Sequence, residues 1–133
     1  MIPARELRFA FVFDDYDDAL HLFRDVFGLE VMLGLDHAGG RGVILRVPSA
    51  TLEVFDRDQG NHVDDVEVGR PLGERVRIAV KIADLAAASS EVEEAGVSPE
   101  AQPVVTPWGD RNQRFATSDG LQLTLFQEAG ADG

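Results

Sequence analysis

One carboxylate stands within an otherwise apolar stretch, Ala-Thr-Leu-Glu-Val-Phe at residues 50–55. Side chains alternate between the two faces of a strand, so Glu53 shares a face with Thr51 and Phe55. At such a position Glu53 can face solvent, a metal ion, a cationic side chain or a bound ligand. The last three would make it a metal ligand, an ion-pair partner or a general base.

The three histidines, His21, His37 and His62, are the other obvious candidates for metal binding or proton transfer. No two of them have the spacing of a metal-binding pair. His21 falls between core positions of a predicted helix, whereas His37 lies in a Gly-rich turn and His62 in a polar segment. A rearranged metal site that joins His37 or His62 to Glu53 stays open as an alternative. The chain has no cysteine, which excludes disulfides, thiolate catalysis and zinc–thiolate sites.

Two further stretches are better explained by local structure than by chemistry. The acidic run at residues 14–18 has the composition of a metal loop, but Asp15 stands where a helix N-cap is expected. The glycine-rich run at residues 39–42 lacks the strand–loop–helix setting of a phosphate-binding loop. We interpret it as a hairpin turn.

Composition narrows the class of protein. The 133 residues suffice for one domain with a core of its own. The formal net charge of −12 argues against nucleic acid and anionic membrane surfaces as partners, because both repel an acidic protein. No apolar run is long enough to span a bilayer, and the first residues do not resemble a signal peptide. We therefore expect a cytoplasmic protein.

Two stretches of the chain follow the same order of predicted elements. In the first, a strand at residues 7–13 precedes a helix that begins after Asp15 and ends at Gly28. Three strands then follow, at 29–35, 42–47 and 51–55.

The second stretch has a strand at 76–82 and a helix that begins after Asp84 and ends at Gly96. Three further strands are predicted at 102–106, 113–117 and 121–126. Residues 56–74 between the two stretches are polar, rich in Gly, Asp and Glu, and without a sustained period, which predicts a linker or mobile loop.

This is an internal repeat of about seventy residues. Within a single domain of residues 1–133, repeat one covers about 6–56, the linker 57–74 and repeat two about 75–128. Strand alternation then assigns two faces to the first and last strands of each repeat. An apolar face should pack on the helices: Phe9, Phe11, Phe13, Leu52, Val54, Ile78, Val80, Ile82, Leu121, Leu123 and Leu125. A mixed face should line a cleft: Arg8, Ala10, Val12, Thr51, Glu53, Phe55, Arg77, Ala79, Lys81, Gln122, Thr124 and Phe126.

The chain resembles the vicinal oxygen chelate superfamily, which comprises the glyoxalase, bleomycin-resistance and extradiol-dioxygenase proteins. The resemblance lies in the strand–Asp–helix–Gly-Leu-Glu-Val order, the restart near residue 76, and the closing runs at 106–111 and 118–125. It covers about residues 6–128. It implies an α+β fold in which two βαβββ repeats form a cupped, mixed sheet of eight strands.

Enzymes of that family hold a divalent metal ion with side chains from four equivalent strands. The equivalent positions here are Arg8, Glu53, Arg77 and Thr124. Only Glu53 keeps a ligand type, because an arginine stays protonated and has no lone pair to offer. We therefore expect no metal site and no cofactor.

The resemblance, with the metal positions altered, predicts a metal-independent protein that binds a small polar or anionic molecule in the cup. The expected contacts are Arg8, Glu53, Arg77, Trp108 and Thr124, with Glu53 flanked by the two arginines. An internal salt-bridge strut between the repeats would explain the same residues.

Three other points stay open in the sequence. A lyase, isomerase or dioxygenase could use Glu53 as general base, and a purely structural domain would have a cup plugged by side chains. Arg111 and Arg114 have opposite parity on one strand, so only one can face inward.

The resemblance also implies a homodimer.

Overall fold

The computed structural model describes residues 1–2, 5–6 and 8–129. Within them the chain forms a mixed α and β structure, as predicted. The helices are α1 (Tyr16–Leu20), which continues as a π-helical segment (His21–Val26), α2 (Arg57–Val68) and α3 (Leu85–Glu94). The strands are β1 (Glu30–Leu35), β2 (Gly42–Arg46), β3 (Arg77–Lys81), β4 (Ser98–Pro99), β5 (Val104–Val105), β6 (Arg111–Ala116) and β7 (Gln122–Gln127).

The two helices predicted from capping signals begin where the sequence indicates. The side chain of Asp15 accepts a hydrogen bond from the amide of Asp18 at 2.9 Å, and Asp84 caps α3 in the same way. Gly28 and Gly96 adopt positive φ angles of 69° and 92°, a conformation that glycine reaches without steric cost. The helix ends are therefore encoded locally.

The second half of the chain builds a sheet of five strands, in the order β3-β7-β6-β4, with β5 also paired to β6. β3 runs parallel to β7, so that Arg77 pairs with Gln122, and β6 runs antiparallel to β7, so that Arg114 pairs with Thr124. Paired residues point to the same side of a sheet. We call this side, with Arg77, Asn112, Arg114, Gln122 and Thr124, the polar face.

The opposite face of this sheet forms the core. Phe115, Leu123 and Leu125 are fully buried there against Leu85 and Val92 of α3. Burying one such side chain is worth about 1.5–3 kcal/mol, which is enough to set which face each strand turns inward. For the second half, the predicted division into an apolar and a mixed face is therefore observed.

The first half does not extend this sheet. β1 and β2 pair only with each other among the described strands, and they form a separate two-stranded hairpin. The predicted strands at 8–13 and 51–55 run without ladder hydrogen bonds, and Leu7 lies outside the described residues. Leu52 and Val54 are 58% and 84% exposed. Alternation predicts which face a side chain takes, but it does not identify the neighbouring strand. The prediction that these two segments belong to the sheet is therefore wrong.

The segment 57–74, predicted as a linker or mobile loop, instead contains helix α2. Asp56 caps its start by accepting a hydrogen bond from the amide of Gln59 at 2.8 Å. Gly69, with a φ of 81°, ends it. The buried residues of α2 are Val63, Asp64 and Glu67. Hydrophobic periodicity cannot detect a helix whose buried face carries carboxylates, and this is why the prediction was wrong.

Two surfaces remain uncovered. Apolar side chains of the first half are exposed, among them Phe9, Val31, Met32, Leu33, Val47, Leu52 and Val54. β3 pairs with β7 alone among the described strands, so no described strand forms a ladder with its other edge. In the described part of the chain, no helix has both the length and the apolar character that a membrane span needs.

Candidate functional site

The centre of the polar face is the guanidinium group of Arg114. Its neighbour Phe115 must point into the core, so Arg114 is turned to the other side of β6. Arg114 has no exposed side-chain surface. Its hydrogen bonds run from Nε to Glu67 Oε1 (2.9 Å) and Thr124 Oγ1 (3.2 Å), from Nη1 to Gln122 Oε1 (3.1 Å), and from Nη2 to Asp64 Oδ1 (3.0 Å).

Helix α2 supplies both carboxylates. Asp64 and Glu67 lie three positions apart, which places them on one face of the helix. The hydroxyl of Thr124 donates to Glu67 Oε1 at 2.6 Å, and Asn112 Nδ2 donates to Glu67 Oε2 at 3.1 Å. Asp64 Oδ2 accepts from the amide of Leu72 at 3.0 Å. Every oxygen of the two carboxylates therefore has a donor, as buried charge requires.

Arg77 adds a second positive charge to the site. Its Nη1 lies 3.7 Å from Asp64 Oδ1, and its guanidinium carbon lies 5.1 Å from the ring centroid of Phe55. Burial lowers the pKa of Arg77 from its ordinary value. The carboxylates of Glu67, Asp64 and Glu53 act in the opposite direction, and the charge of Arg114 acts with burial. We call Asp64, Glu67, Arg77 and Arg114 the four-charge cluster.

The structure brings only some of the predicted site residues together. Arg77 and Thr124 lie at the four-charge cluster. Glu53 is exposed, and its carboxylate forms no ion pair within 4.0 Å with any described cation, although its charge raises the pKa of Arg77. Arg8 is exposed and pairs with Glu6 at 3.1 Å. Trp108 is 48% exposed in the turn before β6. That these residues contact a ligand stays a prediction.

Several residues of the site were not predicted. The sequence predicts a linker where Asp64 and Glu67 lie, and it does not choose between Arg111 and Arg114. Arg114 is the inward one, whereas Arg111 is exposed at the start of β6. The adjacent Phe115 was a usable signal, because a core aromatic residue fixes the opposite direction for its neighbour. No comparable signal marks Asp64 and Glu67 in the sequence.

One buried atom of the site is unsatisfied. Asn112 is 6% exposed, and its Oδ1 has no hydrogen-bond partner among the described residues. Its Nδ2 is committed to Glu67. A buried acceptor without a donor is costly, so this oxygen is available to a donor from a water molecule or a ligand.

The donor set does not fit a divalent metal ion. Arg77 and Arg114 offer no lone pair, and their charge opposes a cation at the same place. Within the described ranges, no three His, Asp or Glu side chains converge as a metal site would require. His21 pairs with Asp25 at 3.1 Å on the surface, His37 lies in the hairpin turn, and His62 is exposed on α2.

The geometry instead fits recognition of an oxyanion. The Nε and Nη2 groups of Arg114 form one edge of the guanidinium, the edge that binds a carboxylate or phosphate group in a bidentate pair. At present each of these two groups donates to a different carboxylate, Glu67 or Asp64. The polar face can therefore hold negative charge, and helix α2 now supplies that charge.

A sequence profile of the Glyoxalase/Bleomycin resistance protein/Dioxygenase superfamily matches residues 7–125. A comparison with curated protein sequences gave no significant match. The chain is similar to the crystal structure of a member of the same superfamily from Sphaerobacter thermophilus, with 25% identity and a TM-score of 0.57. That alignment covers 88% of this chain and 91% of the other.

Two further structures show the same fold at lower identity. A lactoylglutathione lyase from Agrobacterium tumefaciens is 22% identical with a TM-score of 0.56, over 97% of this chain and 96% of the other. The antibiotic-binding protein TnmS3 from a Streptomyces species is 21% identical with a TM-score of 0.54, over 87% and 88% of the two chains.

Proposed function

Because the chain belongs to the glyoxalase/bleomycin resistance protein/dioxygenase superfamily, we propose that it binds a small polar or anionic molecule without a metal ion. The ligand is held on the polar face of the second-half sheet. The observation that carries this proposal is a guanidinium with no exposed surface, Arg114, at the centre of that face. A buried cation is retained only with anionic partners, so the polar face accepts negative charge, which Asp64 and Glu67 of α2 supply in this structure.

The hydrogen bonds that the carboxylates of Asp64 and Glu67 already accept favour binding over catalysis. Both oxygens of Glu67 and both oxygens of Asp64 accept hydrogen bonds, so neither group is free to take a proton from a substrate. Sequestration needs no catalytic group. The fold alone does not choose between these activities, because one scaffold hosts many chemistries.

A role in proton transfer is the second candidate, and one observation favours it. Glu53 has no ion pair with a described cation, so its carboxylate is available as a general base. Arg77 would then stabilise negative charge on the substrate, since the charge of Glu53 acts on it against the burial that lowers the pKa of Arg77. In that case Glu53→Gln would abolish turnover of a carbonyl substrate while leaving its binding intact.

Binding is tested with a panel of small carboxylates, phosphates and neutral analogues against purified protein, by calorimetry. We expect saturable binding of anionic members, which Arg77→Gln weakens about tenfold or more, since a charge-assisted contact is lost. Arg111→Gln is the matched control, because it removes the same charge from an exposed position. Equal losses in the two variants would indicate a general charge effect and contradict the proposal.

Metal independence has its own measurement. Protein purified without a histidine tag and dialysed should carry no stoichiometric divalent ion, and ligand affinity should be unchanged by a chelator. A zinc, nickel, iron or manganese ion at one per chain would overturn this part of the proposal.

We also propose that the protein acts as a homodimer. The exposed apolar side chains on β1 support this, because patches of this kind on soluble proteins mark interaction surfaces. A two-stranded hairpin such as β1–β2 is marginal in water without a partner to cover it. A second copy of the chain is the occupant we expect.

A further inference from the structure

We propose that Asp64 and Glu67 occupy the position that an oxyanion of the ligand takes when it binds to Arg114. A carboxylate or phosphate group of the ligand displaces the two side chains, and α2 then leaves the polar face. This rests on the proposed function. To that function it adds the chemical class of the ligand group, the Arg114 atoms that bind this group, and the movement of α2 that gives it access.

Access to Arg114 requires the movement. Arg114 has no exposed side-chain surface, and its sheet neighbours Gln122 and Thr124 are 6% and 2% exposed. Helix α2 covers this part of the polar face through Asp64 and Glu67. No ligand atom can contact the guanidinium while both carboxylates are in place. Binding at Arg114 and the docked position of α2 are therefore mutually exclusive.

The hydrogen-bond geometry identifies the group that would replace the carboxylates. Nε and Nη2 of Arg114 point the same way, at spacing suited to two oxygens of one oxyanion. Glu67 and Asp64 each fill one half of that edge, at 2.9 and 3.0 Å. One ligand oxyanion can satisfy both groups at once. Arg77, with Nη1 3.7 Å from Asp64 Oδ1, provides a second cation beside it.

Charge balance favours a doubly negative group. The four-charge cluster is neutral with α2 in place, since two arginines face two carboxylates. When α2 leaves, two positive charges remain on the polar face. A phosphate monoester restores neutrality more completely than a single carboxylate does, because it carries between one and two negative charges near neutral pH.

The attachment of α2 suits reversible release. Its buried side chains include a single apolar one, Val63, so the contact depends mainly on the charged pairs. A ligand oxyanion can replace these buried pairs because it offers Arg114 the same charge-assisted hydrogen bonds, whereas buried apolar contacts have no such replacement. Gly69 and Gly73 in the connection to β3 have φ angles of 81° and 74°, and most of that connection is exposed. The N-cap hydrogen bond joins Asp56 to Gln59 of the same helix, so it is kept when α2 leaves the sheet.

Asn112 indicates independently that α2 does not satisfy every hydrogen-bonding group of the polar face. Its Oδ1 stays buried without a hydrogen-bond donor in the described part of the chain while α2 is docked. A ligand that carries a hydroxyl or amino group beside its oxyanion could donate to this oxygen. The polar face therefore offers a contact that α2 does not use.

The first test follows α2 in the wild-type protein by hydrogen–deuterium exchange. The probes are phenyl phosphate and benzoate, with benzamide as the uncharged control. At saturating phenyl phosphate, amides of residues 57–68 should exchange faster while those of β7 keep their protection. An isolated helix of this length is marginal in water, so release should be visible as exchange. Benzoate should give a smaller effect and benzamide none.

The second test loosens α2 by substitution. Asp64→Asn removes one carboxylate charge at nearly constant shape, and it should tighten phenyl phosphate binding about tenfold, because less of the competing docked state remains. Asp65→Asn is the matched control, with the same change on the exposed side of the same helix. The wild-type exchange experiment needs no variant, so it decides the question even if Asp64→Asn fails to fold.

The outcomes separate this inference from the proposed function. Anion binding with unchanged exchange of residues 57–68 would overturn the displacement of α2 and leave the binding function standing. Binding of benzamide alone would overturn the oxyanion site and leave a neutral ligand. Absence of binding by all three probes to the wild type and to Asp64→Asn would overturn both. Saturable anion binding with faster α2 exchange supports both.

Discussion

Arg114 Nε and Glu67 Oε1 lie 2.9 Å apart although 47 positions of sequence separate them. Arg114 belongs to the middle of the second-half sheet, and Glu67 belongs to the helix between the repeats. Both side chains are buried. The contact therefore makes the connection between the two repeats part of the site, which a sequence without apolar periodicity does not suggest.

Two glycine substitutions test whether α2 contributes to stability as observed. Gly69 ends the helix with a φ of 81°, so Gly69→Ala must adopt a left-handed conformation and should cost about 1–2 kcal/mol. Gly60 lies inside the helix with open space around its Cα, and Gly60→Ala should stabilise by about 0.5–1 kcal/mol. Urea unfolding followed by circular dichroism measures both. Effects of the same sign would contradict the helix bounds.

Glu53→Gln should change the free energy of unfolding by less than about 0.5 kcal/mol. The side chain is exposed and has no described cation within ion-pair distance, and surface substitutions of this kind are usually near neutral. Denaturant unfolding is again the measurement. A loss of several kcal/mol would instead show that Glu53 forms the salt-bridge strut between the repeats that the sequence left open.

Two leucine substitutions compare the halves of the predicted apolar face. Leu125 is fully buried in the sheet, and Leu125→Ala should cost about 2–5 kcal/mol through lost burial and the cavity left behind. Leu52 is 58% exposed, and Leu52→Ala should cost less than about 0.5 kcal/mol in the monomer. Thermal and urea unfolding at low protein concentration compare the two. A large cost at Leu52 would place segment 51–55 in the core.

The surface pair of Arg24 and Asp25 predicts a pH effect. The hydrogen bonds from Arg24, at 2.7 and 3.1 Å, and then the one with His21 lower the pKa of Asp25 from 3.8 to about 2. Because the folded-state pKa is the lower one, the pair contributes stability above the ordinary pKa and loses it as the pH falls towards 2. A carboxyl NMR titration should show this value, and Arg24→Gln should raise it.

A control on another arginine makes this prediction specific. Arg41→Gln removes the partner of Asp17, a contact of 3.0 Å elsewhere on the surface, and should leave the pKa of Asp25 unchanged. An ordinary pKa for Asp25 in the wild-type protein would show that the pair does not persist in solution.

Light scattering during size-exclusion chromatography tests the homodimer. We expect twice the mass of one chain, and Leu33→Lys should shift the population to monomer because it places a charge in the exposed apolar surface of β1. Val105→Lys introduces the same charge at another exposed strand position and serves as the control. A monomer at all concentrations would contradict the proposal.

Local signals predicted the parts of the fold that depend on local interactions. Asp15 and Asp84 cap helices, and Gly28 and Gly96 end them, because the interactions involved span only a few residues. The faces of β3 and β7 were predictable as well, since the burial of Leu123 and Leu125 outweighs any other preference along β7. The α+β class follows from these elements.

The site was less predictable because it depends on contacts between distant segments. Thr124 and Arg77 could be assigned to the polar face from alternation alone. Asp64 and Glu67 could not, since their burial depends on Arg114, about fifty positions away. The sequence also could not show that segment 51–55 stays unpaired, because side chains alternate in the same way in a paired and an unpaired extended chain.

One edge of β3 has no ladder with any other described strand, and this affects how the protein behaves when concentrated. Unpaired backbone groups along a strand invite further strands to add, and basic side chains along the edge discourage such growth. Of the two basic residues that bound β3, Arg77 is drawn towards Asp64, and Lys81 is tied to Glu128 at 3.1 Å. Both charges are partly neutralised by these partners, so we expect crowded or prolonged storage to favour addition of strands from other copies along this edge.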